Sequence, residues 1–100
     1  MLTIQTNLNG TTLIVKLKGR LDTITSPELE KRVKDEINDA TVLILDFAEL
    51  FYISSAGLRV LLSLQNLMNT QNSIVVRSAS AEIKDIFSLT GFDDVLKIEG

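Results

Sequence analysis

In the stretch FYISSAGLRVLL (51–62), Ser54, Ser55, Ala56 and Gly57 put two hydroxyls and two very small side chains between a β-prone run and a leucine-rich run. A serine at a strand-to-helix junction has two uses. Its oxygen caps the helix by accepting a hydrogen bond from an orphan N–H. Alternatively it carries a phosphoryl group, which would face free N–H groups and the positive end of the helix dipole. Capping takes one hydroxyl, and two are present. At least one of them is expected to cap, and phosphorylation is the second use open to the pair. Ala56 and Gly57 leave the helix start bare and easy to approach, although glycine costs about 1 kcal/mol relative to alanine inside a helix and less near its start.

The rest of the chain removes most other chemistry. A strand-turn-helix serine invites comparison with a hydrolase nucleophile elbow, but the G-x-S-x-G pattern is missing and no histidine is present to activate the hydroxyl. The lack of histidine and cysteine also removes the commonest metal ligands. Asp46, read at the end of a strand, invites comparison with an aspartyl phosphoacceptor. That chemistry needs a cluster of acids for a divalent cation, and only Asp22 and Glu49 stand as helpers. There is no G-x-x-x-x-G-K-[ST] loop for a nucleotide. No catalytic residue, metal ligand or cofactor is expected, and too few polar groups converge to build a deep ligand pocket.

Charge and composition narrow the partners. The chain has 100 residues, 45 % of them hydrophobic and 23 % charged, with a formal net charge of -3. That balance argues against a nucleic-acid backbone as partner, which calls for clustered Lys and Arg. Lys16, Lys18 and Arg20, and Lys31, Arg32 and Lys34, read as solvated faces. No apolar run is long enough to span a membrane, and no leader pattern follows Met1. The absence of cysteine fits a reducing compartment, so a cytoplasmic location and a single domain over residues 1–100 are the expectation.

The elements that must position the serines follow from periodicity. Residues 2–7 and 12–18 alternate around Asn9-Gly10, a hairpin signal, with Gly19 ending the second strand. TSPELEKRVKDEI reads as a surface helix. Ser26 is a possible cap, Pro27 suits the first turn, and Thr25 with Glu28 offers an alternative capping box. VLILDF (42–47) reads as a strand buried on both faces. The helix opening near Ser55 runs to about Asn69. Its apolar residues cover roughly 220° of the helical wheel, beyond the ~100° stripe of a surface helix. It is therefore read as a central helix covered by its neighbours, or as one that lends part of its face to a partner protein. Arg59, Ser63, Asn66 and Thr70 form its polar edge. A short strand at 73–78, a helix over 80–91 stopped by Gly91, and an edge strand at 95–98 complete the order β-β-α-β-α-β-α-β. This is an α/β domain with a mixed sheet of four to five strands flanked by helices. Asp22 and Thr23, in GRLDTITSP, lie in a loop that would open at the same end of the sheet as Ser54. Two polar loops meeting there make a plausible recognition surface, although a turn is the common fate of Asp.

Three segments, KGRLDTITSPELEKRV, LDFAELFYISSAGLRVLL and LTGFDDVLKI, together resemble the STAS domain of anti-sigma factor antagonists and of sulfate-transporter tails. The likeness extends over essentially the whole chain and is closest to the free-standing bacterial antagonists. It implies partner switching. The unphosphorylated protein binds an anti-sigma factor that is also a serine kinase, which frees a sigma factor. Phosphorylation at the start of the second helix ends that binding, and a serine phosphatase resets the cycle. The family pattern there is Asp-Ser-Ser/Thr-Gly. Aligning Gly57 makes Ser55 the implied phosphoacceptor, with Ser54 as its rival. Ser54 and Ala56 depart from the pattern's acid and second hydroxyl. The implied partner-binding residues are Asp22, Thr23, Ser54, Ser55, Ala56, Gly57 and Arg59. A non-switching STAS scaffold or transport accessory subunit is the alternative.

Overall fold

The computed structural model describes residues 2–68 and 73–99. Strands β1 (Leu2–Asn9) and β2 (Thr12–Leu21) are followed by α1 (Ser26–Glu36), β3 (Val42–Ile53), α2 (Ser55–Met68), β4 (Ile74–Arg77) and α3 (Ala81–Thr90). A 3-10 turn at Phe92–Asp94 then leads to β5 (Lys97–Glu99). The sheet has five strands in the order β1-β2-β3-β4-β5. The first pair is antiparallel and the other three are parallel. The expected α/β class, mixed sheet and element order are all present.

Each parallel step moves one strand in the same direction, so right-handed crossovers deliver every helix to one face of the sheet. A single apolar core lies between them. Leu13, Val15 and Leu17 of β2 and Leu43, Leu45 and Phe47 of β3 meet Leu29 and Val33 of α1, Leu61 and Leu64 of α2, and Ile83 and Phe87 of α3. Val75 is buried yet stands outside that core. It pairs with Ile44, which pairs with Ile14, across the opposite face. The run at 42–47 is therefore buried in the core on one face only. Its continuous hydrophobicity comes from Val42 and Ile44, which are half-buried on the face without helices.

The strands are longer than their sequence patterns. β2 continues through Gly19 to Leu21, and β3 runs to Ile53, so Asp46 lies mid-strand and not at its end. Two register shifts, between Lys16 and Lys18 and between Gly19 and Arg20, each insert one extra residue into β3. The bulges break strict alternation. Phe47, Leu50 and Ile53 face the core at intervals of three, which no period-2 reading finds. Gly19 adopts φ 115° beside the second shift, a conformation that suits glycine. It lets β2 pass the irregularity without ending.

Ends of helices follow sequence chemistry unevenly. Ser80 caps α3 by accepting from the Ile83 N–H at 3.2 Å, and Gly91 closes it in the left-handed region, as expected. α1 begins with Ser26 already helical and Thr25 at the cap position, where no side-chain cap bond forms. Neither the Ser26 cap nor the Thr25–Glu28 box is made: Ser26 is already helical, and the Thr25 oxygen accepts from the Asp22 N–H at 2.9 Å while its hydroxyl donates to the Arg20 carbonyl at 2.8 Å. α2 buries Gly57, Val60, Leu61 and Leu64, while Leu62 and Leu67 stay 42 % and 45 % exposed. The helix is thus covered over about half its circumference, not all round. Asn69 and Thr70 lie outside the described residues. Among the described residues, no helix is long and apolar enough to cross a membrane.

Candidate functional site

The two loops expected to meet do so. Leu21 pairs with Ile53 at the ends of β2 and β3, and the Ser54 N–H donates to the Leu21 carbonyl at 2.9 Å. The β2–α1 loop and the start of α2 therefore leave the sheet side by side.

Here the two serines separate in role. The Ser54 hydroxyl accepts from the Gly57 N–H at 3.3 Å, and its carbonyl accepts from the Leu58 N–H at 3.0 Å. Ser54 is the cap of α2. Ser55, the next residue, is exposed, and its hydroxyl makes no hydrogen bond among the described residues. Since Ser54 is engaged and Ser55 is not, Ser54→Ala is expected to destabilise the domain by about 1 kcal/mol. Ser55→Ala should stay within about 0.5 kcal/mol of the parent. Urea denaturation of the two variants measures the contrast, and equal losses would remove the division of labour.

Gly57 is needed for packing. A Cβ built on it would lie 2.8 Å from Ile53 Cγ1 and 3.0 Å from Leu21 Cγ. The bare glycine lets the first turn of α2 settle directly onto the two strand ends, and this sets how far Ser55 stands from the sheet.

Asp22 holds its own loop. Its Oδ1 accepts from the Ile24 N–H at 3.0 Å and the Thr25 N–H at 3.1 Å. The Thr25 N–H above all, and then that of Ile24, keep the carboxyl below its ordinary value against an opposing effect of desolvation. Its second oxygen lies 3.9 Å from Arg20 Nε, and the Arg20 guanidinium sits 4.3 Å from the centre of the Tyr52 ring. Thr23 is exposed at the top of this loop beside Ile24, which is 86 % exposed. Ile24, Phe51 and Tyr52 are exposed apolar residues near the site that sequence reasoning passed over. The available signal was Ile24 alone among polar neighbours and two adjacent aromatics where only one can face the core.

A cleft of about 320 Å³ runs between α1 and α2. Thr23, Ser26, Glu30, Ala56, Arg59 and Ser63 line it, with Pro27 and Val60 as apolar walls. Glu30 accepts from the Ser63 hydroxyl at 2.6 Å and pairs with Lys34 at 3.3 Å. Ser26 is 1 % exposed, and its hydroxyl has no hydrogen-bond partner among the described residues. Arg59 is exposed and makes no ion pair among the described residues. Asp46 is not part of this group. It accepts from the Ala48 N–H at 2.9 Å within the bulged part of β3. The acids Asp22, Asp46 and Glu49 do not converge: Glu49 faces Lys16 and Lys18, each at 3.8 Å.

Three carboxyls are held below their ordinary values, so each contributes stability that acid removes. Asp22 has just been described. Glu30 is held down first by the Ser63 hydroxyl and then by Lys34, and Glu36 first by the Thr6 hydroxyl and then by Arg32. A carboxyl depressed in the folded state adds stability above its unfolded pKa and loses it as pH falls through the folded one. The ordinary values are 3.8 for the aspartate and 4.5 for the glutamates. Unfolding midpoints followed from about pH 7 down to about pH 3 should hold steady and then fall below the ordinary carboxylate range. Thr6→Val and Ser63→Ala should make that fall shallower.

Comparison with known proteins places this architecture. The family model for the STAS domain matches residues 3–100, and the chain belongs to that family. It is 30 % identical over 88 residues to BtrV of Bordetella bronchiseptica, a candidate anti-sigma factor antagonist, covering 86 % of this chain and 76 % of that one. The crystal structure of an anti-sigma factor antagonist from Mycobacterium paratuberculosis superposes with a TM-score of 0.87 at 20 % identity, covering 99 % of this chain and 86 % of that one. SpoIIAA, the Bacillus cell fate determinant, in its phosphorylated form, gives a TM-score of 0.74 at 17 % identity over 96 % of this chain and 90 % of its own.

Proposed function

We propose that this chain is an anti-sigma factor antagonist, acting as one domain in the cytoplasm and switched by phosphorylation of Ser55. In the unmodified state it docks on an anti-sigma factor with serine kinase activity. The docking surface we assign is formed by Asp22, Thr23, Ser54, Ser55, Ala56 and Arg59, while Gly57, expected there from the sequence, is buried beneath it. In the kinase step the Ser55 oxygen attacks the γ-phosphorus of ATP. The new O–P bond replaces the bond to the β-γ bridging oxygen, ADP leaves, and the hydroxyl proton passes to the kinase or solvent. A serine phosphatase reverses the modification by hydrolysis.

The observation that carries this reading is the state of the two hydroxyls. Ser54 is occupied as a cap, and Ser55 is exposed and uncommitted. The exposed Ile24, in the neighbouring loop, supplies apolar area at the same end of the sheet. Relatives named as anti-sigma factor antagonists, and a structural neighbour described in a phosphorylated form, support the assignment. A dianion at the start of α2 is tolerated by the helix dipole. At an apolar contact the same charge must be desolvated, so one modification leaves the fold intact and dissolves the complex. The test is to incubate the chain with its cognate kinase and ATP and to map phosphate by mass spectrometry. Phosphate on Ser55 supports the reading; phosphate confined to residues other than 54 and 55, or none, rejects it.

A further inference from the structure

We infer that Arg59 is the internal counter-ion of the phosphorylated Ser55 side chain, holding the phosphoryl group against the mouth of the α1–α2 cleft. This rests on the reading of Ser55 as the modified residue. Ser55 and Arg59 are four positions apart on α2, so their side chains share a face one turn from each other. Both are exposed. Arg59 is the only charged residue of the helix, whose first turn contains no acid. Its guanidinium is unspent. Glu30, the one carboxylate lining the same cleft, is already taken by Lys34 and the Ser63 hydroxyl. Asp22, in the neighbouring loop, is taken by two backbone N–H groups and faces Arg20.

Other hydrogen-bonding groups around this spot are also unmet in the unmodified protein. The Ser55 and Ala56 N–H groups at the open start of α2 donate to no described residue. Ser26, on the α1 wall of the cleft that Arg59 and Ala56 also line, keeps its buried hydroxyl without a partner. A phosphoserine with a guanidinium in reach forms short, charge-assisted and often bidentate hydrogen bonds. The pairing gives the modified state a defined geometry. It also takes Arg59 away from the docking surface at the moment the phosphate arrives, so one event changes two positions of that surface.

The experiment installs phosphoserine at position 55 during synthesis, so no kinase is involved. The phosphate of the full chain is titrated by ³¹P NMR in the parent, Arg59→Gln and Arg59→Lys backgrounds, while the Arg59 Nε–H signal is followed. An unperturbed phosphoserine has its second pKa near about 6. The parent is expected to titrate lower than Arg59→Gln by about 0.5, roughly threefold in proton affinity. Arg59→Lys should recover part of the difference. The Nε–H resonance should move on phosphorylation with the pH dependence of the phosphate. Circular dichroism establishes that the variants are folded. Identical titration in the parent and Arg59→Gln, or an Nε–H signal indifferent to the phosphate, overturns the pairing. A chain that no kinase modifies at Ser55 would sink the proposed function and leave this result standing.

Discussion

Ser55→Asp is expected to leave the domain folded and to weaken its hold on the proposed anti-sigma partner by roughly 30- to 700-fold, about 2–4 kcal/mol. The fold should survive because Ser55 is exposed, makes no side-chain hydrogen bond, and stands where a negative charge meets the positive end of α2. Docking should fail because the carboxylate must be stripped of water against the partner surface that covers it and the neighbouring Ile24. Ser55→Ala is the control and should bind within about threefold of the parent, since it removes a hydroxyl with no partner among the described residues. Titration calorimetry against the purified anti-sigma factor, with thermal unfolding of each variant, separates the two effects. Parent-like binding by Ser55→Asp would favour a scaffold without a switch, the alternative reading of this family likeness.

Gly57→Val should be the most damaging single change at the site, costing about 3 kcal/mol, near the upper end of what overpacking usually costs. The added Cβ alone would come within 2.8 Å of Ile53 Cγ1 and 3.0 Å of Leu21 Cγ. Neither atom is the free end of a long side chain. Leu21 is fully buried and Ile53 nearly so, inside a core with no slack to take the displacement. Relief requires the first turn of α2 to lift off the sheet, carrying Ser54 and Ser55 with it. Gly57→Ala meets the same contacts but regains helix propensity worth up to about 1 kcal/mol, so its net loss should be smaller. At about 4–8 °C of midpoint per kcal/mol for a domain of this size, a thermal scan resolves the order parent, Ala, Val. A Gly57→Val domain as stable as the parent would mean that the close approach of helix and strands is not required.

Both predictions concern residues visible in the sequence, but only one of them was assigned its reason there. Ser55 stood out because two hydroxyls occupied a junction that needs one. Gly57 reads as an open approach to the helix, whereas it is buried and a Cβ there would strike Ile53, one helical turn back, and Leu21, on a strand distant in sequence. The same distinction runs through the fold. Ser80 and Gly91 mark helix ends, and Gly10 marks the hairpin with Asn9 as the last residue of β1 and Gly10-Thr11 as the turn, because the physics at those points is local: a positive φ, or an orphan N–H three residues away. β3 was read six residues short, because its bulges shift the core-facing residues from every second to every third position and so erase the alternation that marks a strand. At α1, of the two cap candidates Thr25 rather than Ser26 holds the cap position, but its hydroxyl is drawn to the Asp22 N–H and the Arg20 carbonyl, partners that exist only once the loop has closed.

Residue types and their near-neighbour spacing by themselves determined the element order, the α/β class, the junction rich in small residues and the absence of histidine and cysteine chemistry. Each of these depends on backbone geometry within a few residues or on composition. Tertiary structure alone decided that Ser54 caps while Ser55 stays uncommitted, that Glu30 is occupied while Arg59 is not, and that all three helices share one face of the sheet. Those outcomes depend on contacts between distant parts of the chain, such as the Ser54 N–H on the Leu21 carbonyl, the Ser63 hydroxyl on Glu30 and the packing of each helix on the sheet, and such contacts form only when the chain has folded.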